Sequence, residues 1–226
     1  MKIHIVIPVY NNYRLTNQIL WSLYQREHDN IDSVTIMDDC STDAEVSSGL
    51  AWWKEHGLLP LQVHRNEKNW GFLHTANAGL RIVTRLDTVS DEDIVILLSN
   101  DVLIHGGFID QIKESITSKQ LVGGVHYTHD TGWNKFGDKV FRYVEGWLLA
   151  TTVAGWRELD YFDERYAPFD YEDVDLSTQA ISMGYELVPL NNPGLVHLGG
   201  QSIGYNDKRL AQTNTNKKKF GEKWTR

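Results

Sequence analysis

The feature that most constrains this chain is a series of short, almost wholly apolar runs that alternate with helical patterns. Ile3 to Val9, Ser33 to Met37, Leu61 to His64 and Ile94 to Leu98 read as strands. Between them, Leu15, Ile19 and Leu23 recur at helical spacing, with Asn11 or Asn12 placed to cap that helix. Leu73, Ala76, Leu80 and Val83 mark a second helix, which follows Gly71. Strands apolar on both faces and separated by helices belong to parallel βαβ units buried beneath helical layers. The first half therefore reads as a doubly wound nucleotide-binding sheet.

The second half is more mixed. Glycines and aromatics punctuate it from Gly123 to Gly137, Trp147 to Val153 reads as a strand, and an acidic segment runs from Asp160 to Asp175. Leu176, Ala180 and Met183 predict a helix ended by Gly184 in a left-handed cap, and Glu186 to Leu190 a last strand. Neither a repeat nor a linker interrupts the chain, so a single domain over residues 1–226 is expected.

Composition narrows the partners. Thirty acids stand against 22 Lys plus Arg, a net charge of -8, which disfavours extended binding to a phosphate backbone. No apolar run approaches the length of a membrane span. The opening strand argues against a signal peptide, and one cysteine, Cys40, suits a reducing compartment. The expectation is a cytoplasmic protein, soluble or attached peripherally at the inner membrane face. Lys217-Lys218-Lys219 reads as a solvated helix face.

Ligands of open parallel sheets sit beyond the carboxyl ends of the strands, and polar clusters gather there. The first strand runs into Pro8-Val9-Tyr10-Asn11-Asn12, the second into Asp38-Asp39-Cys40-Ser41-Thr42-Asp43, and the fourth into Ser99-Asn100-Asp101. A strand-end carboxylate can accept hydrogen bonds from a nucleobase or a ribose; Asp38-Asp39 also fits a turn leading into a helix capped from Ser41 to Asp43. Gly71 opens a helix whose free N–H groups suit an anion. Asn77 falls on the apolar side of that helix, so its amide needs a partner, either ligand or backbone.

These clusters resemble, in order, those of family-2 glycosyltransferases, which have the glycosyltransferase A fold. The matching stretches are I-V-I-P-V-Y-N-N, D-D-C-S-T-D, N-W-G-F-L-H-T-A-N-A-G-L and L-L-S-N-D-V, followed by F-D-E-R-Y-A-P-F-D-Y-E-D-V-D-L, G-Y-E-L-V-P and V-H-L-G-G-Q-S. The resemblance implies an α/β chain with a Rossmann-like, mostly parallel central sheet, flanking helices and a mixed acceptor-side half. Residues 1–101 would bind the nucleotide-sugar, and residues 102–226 the acceptor.

The implied reaction moves a sugar from a nucleotide diphosphate-sugar to an acceptor hydroxyl, with inversion. Carried over by residue, Pro8 and Tyr10 would flank the base, with Asp39 pairing with it and Asp38 as the alternative base or ribose contact. Asn77 would line the donor site near Gly71, and Ser99 and Asn100 belong to the same side. Asp101 matches the second acid of the family's D-x-D motif and would bind Mn²⁺ or Mg²⁺, with His197 as a further ligand. Ser99 replaces the first acid, which lowers the charge available to a metal. Tyr171-Glu172-Asp173-Val174-Asp175 matches the family's E-D-x-D segment and nominates Asp173 as base, with Glu172 second; the bland role of these acids is to favour a helix N-terminus.

Trp147 falls where the family packs its acceptor and equally suits a core. His126, His129, Trp133 and Trp156 are further candidates for an acceptor groove, while Trp70 and Phe72 suit core or loop packing. Saccharides, lipid-linked saccharides and other hydroxyl acceptors all fit, and the acidic charge weighs against a nucleic acid. Two other classes stay open: a nucleotidyltransferase, although the first strand end lacks a glycine-rich basic loop, and a silent nucleotide- or sugar-binding module.

Overall fold

The computed structural model describes residues 1–125, 130–201 and 204–225. In chain order the strands are β1 (Ile3–Val9), β2 (Ser33–Asp38), β3 (Leu61–Arg65), β4 (Ile94–Leu98), β5 (Val102–Ile104), β6 (Gln120–Gly124), β7 (Gly132–Phe136), β8 (Lys139–Tyr143), β9 (Glu145–Thr152), β10 (Glu186–Leu190) and β11 (Leu195–His197). The helices are α1 (Tyr13–Glu27), α2 (Ala44–His56), α3 (Phe72–Thr84), α4 (Ile109–Ser115), α5 (Val153–Glu158), α6 (Glu172–Ser182) and α7 (Asp207–Trp224).

Seven strands form the central sheet in the order β10-β6-β9-β4-β1-β2-β3. The pairs β1/β2, β1/β4, β2/β3 and β6/β10 are parallel, and β9 runs antiparallel between β4 and β6. Alternation sorts the side chains: Ile3, Ile5 and Ile7 join Ile19 and Leu23 of α1 on one face, while Val6, Val95 and Leu97 meet Leu73 and Leu80 of α3 on the other. Burying each such side chain contributes about 1.5–3 kcal/mol, so both helical layers are held by the sheet. The short pair β5/β11 and the hairpin β7/β8 stand apart from it.

The local signals behave in different ways. Asp43 caps α2 by accepting from the Glu45 N–H at 2.9 Å, and Gly184, at φ 82, follows α6. Asn12 occupies the cap position of α1 in a left-handed conformation, yet its side chain makes no capping bond there. Asn11 is spent elsewhere: its Oδ1 accepts from the N–H groups of Thr42 (2.7 Å) and Asp43 (3.0 Å), tying the end of β1 to the turn after β2. No helix among the described residues is long and apolar enough to cross a membrane.

Candidate active site

Because β1, β2 and β4 are parallel, their carboxyl ends open on one edge of the sheet. Pro8, Tyr10, Asp39, Ser99, Asn100 and Asp101 line one side of a cavity of about 1210 Å³ there. Glu145, Gly146 and Trp147 from β9, with Glu172 and Asp173 from α6, line it as well, and Lys208, Arg209 and Thr213 of α7 complete it.

The side of the cavity formed by the ends of β1 and β2 is organised by Asp39. Its Oδ1 accepts from Asn66 Nδ2 and the Trp70 N–H, and its Oδ2 from the Gly71 N–H, each at 2.8 Å. Gly71 takes φ 85, and a Cβ there would stand 2.7 Å from Pro168 Cβ, so glycine is required on both counts. Two expectations are corrected here. Asp38 faces away from the cavity: its Oδ1 accepts from the Ser41 N–H at 2.8 Å and its Oδ2 pairs with Arg65. It closes the turn, so the turn reading applies to Asp38 alone.

Asn77 is fully buried and does not line the cavity. Its Nδ2 donates to the Phe162 carbonyl (2.9 Å) and its Oδ1 accepts from the Phe162 N–H (3.0 Å). The amide thus acts as a backbone unit for Phe162, which follows Asp160 and Tyr161 at φ 52 and 62.

At the end of β4, Asp101 Oδ1 accepts from Ser99 Oγ at 2.6 Å and meets His197 Nε2 at 3.1 Å. The antiparallel β5/β11 pair sets His197 opposite Val102 and so beside Asp101. Burial pushes Asp101 up, but the hydrogen bonds from His197 and Ser99 outweigh it and hold the carboxyl below the ordinary range. Asn100 Nδ2 donates to Thr16 Oγ1 at 3.1 Å, fastening this turn to α1. His197 stacks on Trp147, 5.4 Å between centroids and 18° between planes. Trp147 belongs to the core, as one of its two readings has it, and also lines the cavity. A Cβ on Gly124 would lie 2.1 Å from its ring, so β6 leaves the space that this ring occupies.

Across the cavity, α6 opens with Glu172 and Asp173 after two left-handed residues, Asp170 (φ 67) and Tyr171 (φ 76). Asp173 Oδ2 accepts from the Gly146 N–H (3.1 Å) and Oδ1 from its neighbour Val174 (2.8 Å). Burial pushes Asp173 up to about 6; the two N–H groups oppose that, and the charges of Glu145 and Asp170 add to it. Glu172 is raised well above the ordinary value by burial first and by Asp173 second, and its Oε2 is buried without a hydrogen-bond partner. Tyr143 is pushed up to about 12, mainly by burial. The third acid of the segment, Asp175, turns away and is held by Lys223 Nζ (2.7 Å), Trp224 Nε1 (2.7 Å) and Tyr166 OH (2.9 Å).

Of the remaining candidates, Trp156 is a core residue whose Nε1 donates to the Val95 carbonyl at 2.9 Å, which removes it from any acceptor groove. Trp133 stands exposed on β7, and His126 and His129 lie outside the described residues. Trp70 is an exposed loop residue with the Lys68 ammonium 4.0 Å from its ring, while Phe72 lines the cavity. Lys217 and Lys218 are exposed, whereas Lys219 donates inward to the Arg165 carbonyl at 2.6 Å. Sequence reasoning missed Glu145, Asp170 and Arg209 as parts of the site; the proximity of Glu145 to Trp147 and the place of Asp170 in the acidic segment were hints, and Arg209 had none.

Many solved structures share this fold, among them the following three. GalNAc-T7 with UDP, GalNAc and Mn²⁺ aligns over 99% of this chain and 48% of its own, at 14% identity and TM-score 0.72. The mannosyltransferase PcManGT from Pyrobaculum calidifontis, in complex with GDP-Man and Mn²⁺, aligns over 96% of this chain and 64% of its own (19% identity, TM-score 0.71). S. aureus TarS 1-349 with UDP-GlcNAc aligns over 91% and 62% (18%, 0.64). The chain thus spans about half to two thirds of these proteins. No curated protein matches it in sequence. The family model for glycosyl transferase family 2 matches residues 4–178, which takes in the strand ends, the Asp101 turn and the start of α6: the chain belongs to that family.

Proposed function

We propose that this chain transfers a sugar from a nucleotide diphosphate-sugar to an acceptor hydroxyl by single displacement, with inversion at the anomeric carbon. The observation that carries the reading is one cavity lined both by Asp39 with the Asp101–His197 pair and by Asp173, a carboxyl raised to about 6. An acid near that value is ionised at neutral pH and remains basic enough to accept a proton as the hydroxyl attacks. The acceptor oxygen forms its bond to the anomeric carbon as the bond to the diphosphate oxygen breaks. The hydroxyl proton passes to Asp173, and the electron pair leaves with the diphosphate. Glu172, raised well above the ordinary value by burial and by Asp173, stands next to the base in the chain.

In this reading Asp39 meets the nucleoside, with Pro8, Tyr10 and Gly71 around it. Asp101 and His197 would hold a divalent cation. The described residues contain no group of three or more ligating side chains, so a cation that shares its ligands with a diphosphate suits this pair. An imidazole beside a carboxylate favours Mn²⁺ over Mg²⁺, and the uncharged Ser99 leaves the site one carboxylate short. When bound, the cation would supply positive charge against the departing diphosphate.

The solved relatives nominate UDP-GlcNAc, UDP-GalNAc and GDP-mannose as donors to test, each with Mn²⁺ and with saccharide or lipid-linked saccharide acceptors. Release of UDP or GDP is the expected result. Asp173→Asn should abolish it while calorimetry still detects nucleotide binding. Transfer that persists near the unsubstituted rate removes Asp173 as base, and no turnover of any donor favours a silent binding module.

A further inference from the structure

Helix α7 lies beyond residues 4–178, the part matched by the family model, yet it grips the segment that leads into Asp173. Asn206 caps it by accepting from the Arg209 N–H at 3.0 Å. Arg209, Thr213, Asn216 and Phe220 then follow at helical spacing along one face.

Asn216 is fully buried in a helix that is otherwise largely polar and exposed. Its Nδ2 lies within hydrogen-bond distance of three carbonyls, those of Tyr166 (2.7 Å), Phe169 (2.8 Å) and Asp170 (2.8 Å). Its Oδ1 accepts from Gln212 Nε2 and Lys219 Nζ, both at 3.1 Å, which orients the amide. These carbonyls lie at and beyond the end of a single 3-10 turn, Glu164–Tyr166, outside any sheet or α-helix, and the Asn216 amide satisfies them.

Seven and three residues before Asn216, the same face carries Arg209 and Thr213, which hold the side chain of Asp170. Arg209 reaches the Asp170 carboxylate through Nη2 (2.9 Å) and Nε (3.3 Å), and the Thr213 hydroxyl donates to it too. Asp170 and Tyr171 are the two left-handed residues that turn the chain into α6. A non-glycine residue held there costs about 1–2 kcal/mol and relaxes unless its surroundings fix it.

We infer that Asn216, assisted by Arg209 and Thr213, is a positioning residue: α7 fixes the 166–171 backbone and thereby aims the Asp173 carboxylate into the cavity. The inference rests on Asp173 serving as the base. Its consequence is that side chains of α7 govern the chemical step without lying at the reacting atoms.

The test compares Asn216→Ala, the milder Thr213→Val and Asp173→Asn with the unsubstituted protein. Two quantities are read on the folded proteins: the titration midpoint of the Asp173 carboxyl carbon by NMR, and kcat and KM for UDP or GDP release from UDP-GlcNAc, UDP-GalNAc and GDP-mannose with Mn²⁺. Asp173 is surrounded by Glu145, Asp170, Glu172, Tyr143, Tyr171 and Arg209, and burial is the largest influence on it. A loosened segment lets water in, so the midpoint should fall from about 6 by roughly half a unit or more. Misplacing the base should lower kcat by about tenfold or more while donor KM stays within about twofold.

A lower melting temperature with an unchanged Asp173 midpoint and kcat overturns the inference, because that pattern belongs to a purely structural residue. If Asn216→Ala does not fold, Thr213→Val decides by the same two readings. If Asp173→Asn keeps full turnover, the base assignment fails by itself. If no donor turns over, the titration decides alone.

Discussion

Replacing Asp173 by Asn should make the fold more stable at neutral pH, and the pH dependence of that gain identifies its cause. Burial holds this carboxyl at about 6, against an ordinary value of 3.8. At neutral pH the folded chain must ionise a group that its surroundings disfavour, whereas the unfolded chain ionises it freely. At 1.36 kcal/mol per pH unit, that gap is worth about 3 kcal/mol. The amide that replaces it carries no charge to desolvate, and its oxygen still accepts from one backbone N–H. A gain of about 1–3 kcal/mol is therefore expected. An acid raised in the folded state destabilises fully above its folded value and not at all below its unfolded one. The gain should thus be complete near pH 7, shrink as the pH falls through about 6, and vanish near pH 4. Urea unfolding of both proteins across that window measures it directly, through shifts of the midpoint at constant slope. Equal stability at pH 7, or a gain that persists at pH 4, refutes the account in which burial raises this acid. Turnover of a donor should drop about 10²–10⁴-fold in the same variant, the contribution of a placed general base.

Other perturbations separate the remaining roles. Ser99→Asp returns a carboxylate to the Asp101 corner, and Mn²⁺ should bind about tenfold tighter in the presence of UDP, measured by titration calorimetry; unchanged affinity would remove Asp101 from the metal site. Asn77→Ala strands the buried N–H and carbonyl of Phe162, so urea unfolding should show a loss of about 2–4 kcal/mol while UDP or GDP affinity in the folded protein stays within about twofold. Gly71→Ala places a Cβ against Pro168 at a positive φ, and both stability and nucleotide affinity should fall, the former by about 1–3 kcal/mol in thermal and urea unfolding.

The parallel half of the fold was legible because strands covered on both faces must be apolar almost throughout, as β1 and β4 are. Strands β5 and β11, three residues each, carry too little pattern to be read, yet their pairing is what brings His197 to Asp101. The strand-end acids were visible as a group, whereas their division of labour was not. Asp38 and Asp39 are adjacent and chemically identical; Arg65 and Ser41 take up the first, and Asn66, Trp70 and Gly71 hold the second at the cavity. Asn77 looked equally able to serve a ligand or the backbone, and only the arrival of Phe162 from a distant segment decides it.

The same logic separates the acids at the start of α6. Asp173 and Asp175 are two residues apart and therefore project from different sides of the helix. Asp173 lines the cavity, held by backbone N–H groups alone and raised by burial. Asp175 lies against α7, where Lys223 and Trp224 consume its carboxylate. A base needs a lone pair free to meet the acceptor, and a carboxylate wrapped by an ammonium, an indole and a phenol has none to offer. The last turn of α7 anchors one acid of this segment, while Asn216 and Arg209, two turns and more earlier, set the backbone that presents the other. A motif read in sequence order therefore specifies which acids are present, while α7 ties up Asp175 and leaves Asp173 at the cavity, where the proposed mechanism needs it.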